Sequence, residues 1–277
     1  MKYLKIGCLF FLFCSYAFSE TFKTQIHSIE KGERGESHLI MFSDGHVGFI
    51  ESDGDLILEA IKKNLESEDT VEVILDDRHQ VLSISVVSSV FEEINITKNM
   101  PEELMSYEPS IIDSSRAYQV FRSMRRDYQN FSQCYNRAHI WTYEAFTSSA
   151  LKSNKLFLFF TSRYIRKFNY KWWFHVTPMV YVGGTDQSFW RTLDRRYTSG
   201  PLTLRTWTNI FMLNNAYCPV VYNWSDYRYH QQERDCYLIP TSMYFWQPRD
   251  ISYKERTGYE KSKYYMSEVN HAYWEAF

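Results

Sequence analysis

The sequence predicts an α+β chain of two units, a small acidic one followed by a larger aromatic one. Three observations carry this. Short strand-like runs surround one helical pattern in residues 21–90. A polar stretch with Pro101 and Pro109 follows at 92–109 and reads as a linker. Charge and composition then change together. Residues 20–100 hold 7 Lys/Arg and 17 Asp/Glu, a net of −10, whereas 101–277 hold 22 and 16, a net of +6, with most of the 18% aromatic content. Opposite signs favour attraction between the units.

Lys2 and Lys5 precede an apolar run that continues to Phe18, and Ala17-Phe18-Ser19 ends in the small-residue pattern of a cleavable leader. The run is short for a membrane span. Residues 1–19 are therefore expected to be a signal peptide cleaved before Glu20, which directs the protein to the periplasm or beyond and leaves no stable span. Strands are then expected at 22–29, 37–42 and 46–51, a helix at 56–65, and strands at 70–75 and 81–87. Ser43-Asp44-Gly45, Asp53-Gly54 and Asp76-Asp77 supply turns between them. Leu56, Ala60, Ile61 and Leu65 would share the buried face of the helix.

The second unit begins near Ser110 with a helix expected at 113–128. Ser132 is placed to cap another helix, because no Gly or Pro interrupts the chain from Tyr135 to Leu151. Buried strands follow at 156–160 and 172–182, with a hairpin partner at 189–193. Beyond that, the density of Tyr, Trp and turn residues gives no clear periodicity.

Without the leader, three cysteines remain: Cys134, Cys218 and Cys236. In an oxidising compartment an odd count points to one bridge and one free thiol. Cys218 and Cys236 close a short loop, and a bridge there would stabilise the fold by about 3 kcal/mol on the chain-entropy argument. Cys134 is then the leftover thiol. It sits at the expected start of a helix, where backbone amides and the helix dipole favour a thiolate. His175 lies in an apolar strand. Folding the chain about Gly184 and Thr185 sets residue 175 opposite residue 194, so Asp194 would face the imidazole across a hairpin. Thiol, imidazole and carboxylate together make a nucleophile, a proton carrier and an orienting group.

The stretch Cys134-Tyr135-Asn136-Arg137-Ala138-His139, the strand around His175 and the strand ending in Asp194 resemble bacterial protein-glutaminase, as does Ser199-Gly200-Pro201. The resemblance implies a papain/transglutaminase-like catalytic domain over 109–277, with the Cys on a helix packed against an antiparallel sheet that bears the His and Asp. It implies deamidation of glutamine side chains in proteins or peptides, with Cys134 as nucleophile, His175 as general acid/base and Asp194 as orienting group. Such enzymes carry an inhibitory pro-region, so residues 20–108 are expected to cover the cleft. Two departures stand out: Asn136 where a small residue is common, and Arg195-Arg196 where Asp-Pro is usual. Both are expected to reshape the cleft.

The backbone amide of Cys134, with Gln133 beside it, is the candidate oxyanion site. His139, five residues into the helix, points away from the thiol and is assigned a supporting role. Trp172 and Trp173 are read as core. No cofactor or metal is expected: the chain has neither paired CxxC nor HExxH, and His230 with Cys236 is too loose a set. Nucleic acid is not an expected partner, because the basic residues are scattered. A transglutaminase or cysteine peptidase with the same triad, or a non-enzymatic exported binding protein, are the competing readings.

Overall fold

The computed structural model describes residues 19–32, 35–51, 55–67, 69–87, 107–129, 132–258 and 264–277. The expected leader, save Ser19, and residues 92–106 of the expected linker lie outside these.

The first unit comprises β1 (Glu20–Thr24), β2 (Ile26–Glu30), β3 (His38–Phe42), β4 (Val47–Ile50), α1 (Asp55–Ser67), β5 (Val71–Leu75) and β6 (Val81–Val86). They form two three-stranded antiparallel sheets, ordered β1-β5-β6 and β2-β3-β4. What reads as one strand at 22–29 is thus two, in different sheets. The chain changes sheets at Gln25, whose carbonyl accepts from Ser43 N at 2.9 Å. Ile26, Phe42, Ile61, Val73 and Leu75 share the core between the sheets and α1. Leu56 is 89% exposed; the inward face of α1 runs instead through Ile57, Ile61 and Leu65, at fourfold helical spacing.

In the second unit, β7 (Ile111–Ile112) and α2 (Ser114–Ser123) precede α3 (Cys134–Ser149), β8 (Asn154–Phe160), α4 (Ser162–Phe168), β9 (Phe174–Val182) and β10 (Trp190–Thr192). Asp113 caps α2, accepting from Arg116 N at 2.7 Å. This helix ends before the expected residue 128. The Arg125 carbonyl accepts from the Trp141 indole at 3.1 Å, and the chain turns so that Tyr128 packs edge-on to Trp141.

The later chain forms α5 (Leu204–Phe211), α6 (Trp224–Tyr229), β11 (Cys236–Ser242), α7 (Pro248–Thr257) and α8 (Tyr265–Ala276). The sheet runs β10-β9-β8-β11 antiparallel, with β7 parallel to β9. All seven residues of β8 are buried, which explains its nearly unbroken apolar run. α3 packs across β9 and against α8, so a residue at the start of α3 is brought over the sheet. Cys218 and Cys236 are disulfide-bonded, tying the loop before α6 to the first residue of β11.

The turn between β3 and β4 joins the units. Trp173 N donates to Gly45 O at 3.0 Å, Val47 N donates to Lys171 O at 3.1 Å, and the Trp173 indole donates to Phe42 O at 2.7 Å. Gly45 has φ +100°, and a Cβ there would sit 3.3 Å from the Phe174 ring, so glycine serves both the turn and the close approach. Leu39, Met41 and Val47 bury their outer faces in the second unit's core. Strand-like pairing and apolar burial therefore build this seam. Among the described residues, no helix is long and apolar enough to cross a membrane.

Candidate active site

Cys134 is the first residue of α3. The helix is capped by Gln133, which makes no side-chain capping bond; Ser132, the expected cap, instead accepts the Arg137 guanidinium through its carbonyl and, at 3.1 Å, its Oγ. Ser132 thus anchors a cation beside the thiol and leaves the first-turn amides of α3 without a side-chain acceptor. Cys134 is half-buried and unbridged. Burial alone would raise its pKa, yet the thiol lies below its ordinary value. His175 accounts for most of this through a hydrogen bond and its charge, with help from Arg137 and the Val176 backbone N–H.

His175 sits near the start of β9, 2% exposed. Its Nε2 is 2.7 Å from Asp194 Oδ2, which leaves Nδ1 for the thiol. Burial opposes a charged imidazole, but Asp194 and the Cys134 sulfur outweigh it and raise the His175 pKa to about 9. The same Asp194 oxygen accepts from Trp207 Nε1 in α5 at 3.0 Å. Phe211 packs on the imidazole at 4.3 Å between centroids, and Tyr197 lies edge-on at 5.3 Å. The buried carboxylate is thus held by two donors beside aromatic side chains, which fixes the ring it orients.

Asp194 reaches His175 although the hairpin register differs from the expected one. Trp190 pairs with Tyr181 and Thr192 with Met179, two residues displaced from an alignment of 175 with 194. β10 ends at Thr192, and the chain then turns at 193–198, where Tyr197 N and Thr198 N both donate to the Asp194 carbonyl. That turn, and not a cross-strand pair, carries the Asp194 side chain back to His175.

A cavity of about 250 Å³ opens over these groups, lined by Gln133, Cys134, Arg137, Trp172, His175 and Tyr197. The first unit supplies its opposite wall with Glu20, Thr21, Phe22, Asp44 and His46. There His46 Nδ1 is 2.9 Å from Asp44 Oδ2 and its Nε2 is 3.4 Å from Glu20 Oε1. Burial works against its charge, but the two carboxylates prevail and raise its pKa to about 10. Sequence reasoning missed both His46 and Trp207. Only the Ser43-Asp44-Gly45 turn hinted at the first, and nothing local marked the second.

Other singled-out residues fall elsewhere. His139 is fully buried against Lys155 and Tyr265, outside the cavity. Asn136 is buried and is not among the residues that line the cavity. It donates to Glu275 at 2.6 Å and accepts from the Trp246 indole at 2.9 Å, securing α8. Trp173 is core, whereas Trp172 lines the cavity. His230 pairs with Glu233, and among the described residues no group of three His, Cys, Asp or Glu converges as a metal site.

Residues 90–211, a span that holds Cys134, His175 and Asp194, match a family model described as glutaminase. A mutant of pro-protein-glutaminase superposes with a TM-score of 0.50 at 17% identity, covering 83% of this chain and 85% of that one. For pro-protein-glutaminase the values are 0.45, 15%, 83% and 84%. For the NMR structure of protein-glutaminase from Chryseobacterium proteolyticum they are 0.33, 17%, 49% and 75%. No curated protein matches the chain. The chain has the mixed α+β fold of pro-protein-glutaminase.

Proposed function

We propose that this protein is an exported thiol hydrolase that deamidates glutamine side chains in proteins or peptides. The observation that carries the reading is the His175 imidazole, hydrogen-bonded to Asp194 and to the Cys134 sulfur at a helix start, inside a span that matches a glutaminase family model. The Cys134 thiolate attacks the carboxamide carbon. The backbone amide of Cys134, with Gln133, stabilises the oxyanion, and protonated His175 gives its proton to the leaving nitrogen. Ammonia departs and a thioester remains. Water, deprotonated by His175, hydrolyses it to glutamate and restores the thiolate.

Residues 20–108 serve as an inhibitory pro-region in this reading, supported by Phe22, Asp44 and His46 on the same cavity as Cys134. The N-terminal leader directs export. Ammonia release from a glutamine-rich protein, with glutamine-to-glutamate conversion followed by mass spectrometry, tests the activity. Conversion without cleavage or cross-links is the expected result, and cleaved or cross-linked products would place the triad on another reaction. A chain starting near Ser110 should be more active than one starting at Glu20; equal rates would sink the covering role.

A further inference from the structure

A second concavity of about 380 Å³ adjoins the catalytic cavity and shares Arg137, Arg196 and Tyr197 with it. Among the described residues its lining includes five arginines, Arg125, Arg126, Arg137, Arg195 and Arg196, and no acidic residue. Arg125 is already matched by Asp127 and Glu144. The other four make no ion pair among the described residues. Three buried donors at the site lack an acceptor: Arg137 Nε, Arg195 Nε and Tyr128 OH. Buried polar groups are ordinarily satisfied, so three orphaned donors on residues that line one arginine-rich space mark a place suited to acceptor oxygens. Burial and the neighbouring Arg126 and Arg122 lower the Arg195 pKa, the sign of cations crowded without an anion.

We propose that this concavity is an anion subsite that receives acidic side chains of the substrate flanking the target glutamine. The inference rests on the deamidase reading, because the shared Arg137, Arg196 and Tyr197 make any occupant continuous with the chain held at Cys134. A polypeptide with Asp or Glu next to its glutamine fits both spaces at once. Arg195 and Arg196 directly follow Asp194, so the turn that orients the imidazole also presents the subsite. Among the described residues, the first unit lines only the catalytic cavity.

Binding of a labelled hexaglutamate peptide to the full chain, followed by fluorescence anisotropy, tests the subsite without catalysis. Hexaglutamate should bind more tightly than hexaglutamine and weaken with salt. Arg126→Gln or Arg195→Gln should each weaken it about fivefold, and the pair more. Arg163→Gln, which removes the same charge outside the pocket, should leave binding unchanged. Equal binding of the two peptides, an unaltered double variant, or tighter binding of an oligothymidylate of equal charge would overturn the proposal. With proteolytically processed protein, peptides carrying glutamine in acidic and in neutral contexts should differ in kcat/KM about tenfold, a preference lost in the double variant. Equal rates on both peptides would refute the subsite and leave the deamidase reading standing. No ammonia from either peptide, with hexaglutamate binding intact, would refute the deamidase reading alone.

Discussion

Two His–Asp pairs face each other across the cavity, His175–Asp194 on the second unit and His46–Asp44 on the first, at 2.7 and 2.9 Å. Both imidazoles are buried, and both are held above the usual histidine range by a carboxylate. They differ in the other ring nitrogen. His46 gives its second nitrogen to Glu20 and is therefore clamped as an imidazolium. His175 keeps its second nitrogen for the Cys134 sulfur. A His–Asp pair becomes chemistry when one nitrogen remains for the nucleophile; with carboxylates at both, it is a structural cation.

The largest effect should come from removing the group that distinguishes the pairs. Cys134→Ala should abolish ammonia release, a loss on the order of 10⁵- to 10⁶-fold for a nucleophile acting within a triad. Measurable residual turnover within a hundredfold of wild type would mean that the thiol is not the nucleophile. Next come the two matched carboxylate changes. Asp194→Asn should lower kcat by about 10²- to 10⁴-fold, because the amide no longer stabilises the imidazolium or fixes its tautomer. Asp44→Asn should not lower ammonia release by the full chain. Comparable losses in both variants would erase the proposed division of labour.

The pH profile sharpens the same contrast. A raised His175 pKa means that the imidazolium persists up to about pH 9 and is lost above it. The lowered Cys134 pKa supplies the thiolate below the ordinary thiol range. Activity should form a bell whose alkaline limb falls near pH 9, and Asp194→Asn should move that limb downward. A smaller effect belongs to Trp207, whose indole donates to Asp194 at 3.0 Å. Trp207→Phe should cost about tenfold in kcat, the scale of one charge-assisted hydrogen bond, with a shifted alkaline limb. An unshifted limb at reduced rate would assign Trp207 to packing alone.

What could be read from the sequence follows from how local each signal was. The start of α3 at Cys134 was legible because an uninterrupted helical run follows it, and the buried β8 because its apolar run has no other home. The proximity of Asp194 to His175 was reached through a hairpin that is two residues out of register, and the turn at 193–198 was not foreseen. Trp207 could not be read, since one aromatic residue in an aromatic-rich stretch carries no mark of the carboxylate it serves. His46 read only as the first residue of a strand, because its role depends on β1 and on the strand-like pairing with Lys171 and Trp173, contacts distant in sequence. Asn136 and Arg195 looked alike as departures from the family pattern, yet one secures α8 and the other opens onto the arginine pocket. Only the second lines a concavity.

The smallest expected effect separates the pairs on stability rather than rate. The folded pKa of His46, about 10, exceeds its ordinary value of 6.5. Its contribution is therefore fully present below pH 6.5 and is lost as pH rises through about 10. With the ring mostly buried between two carboxylates, that contribution is on the order of 1–3 kcal/mol after allowing for desolvation. His46→Gln should thus lower the thermal midpoint of the full chain at neutral pH, and the gap to wild type should close toward pH 10. The variant should also loosen the wall that the first unit presents to Cys134, so full-chain ammonia release should rise a few-fold. A gap that stays constant with pH would show that His46 stabilises by packing on Phe22, 4.5 Å away, and not by its charge.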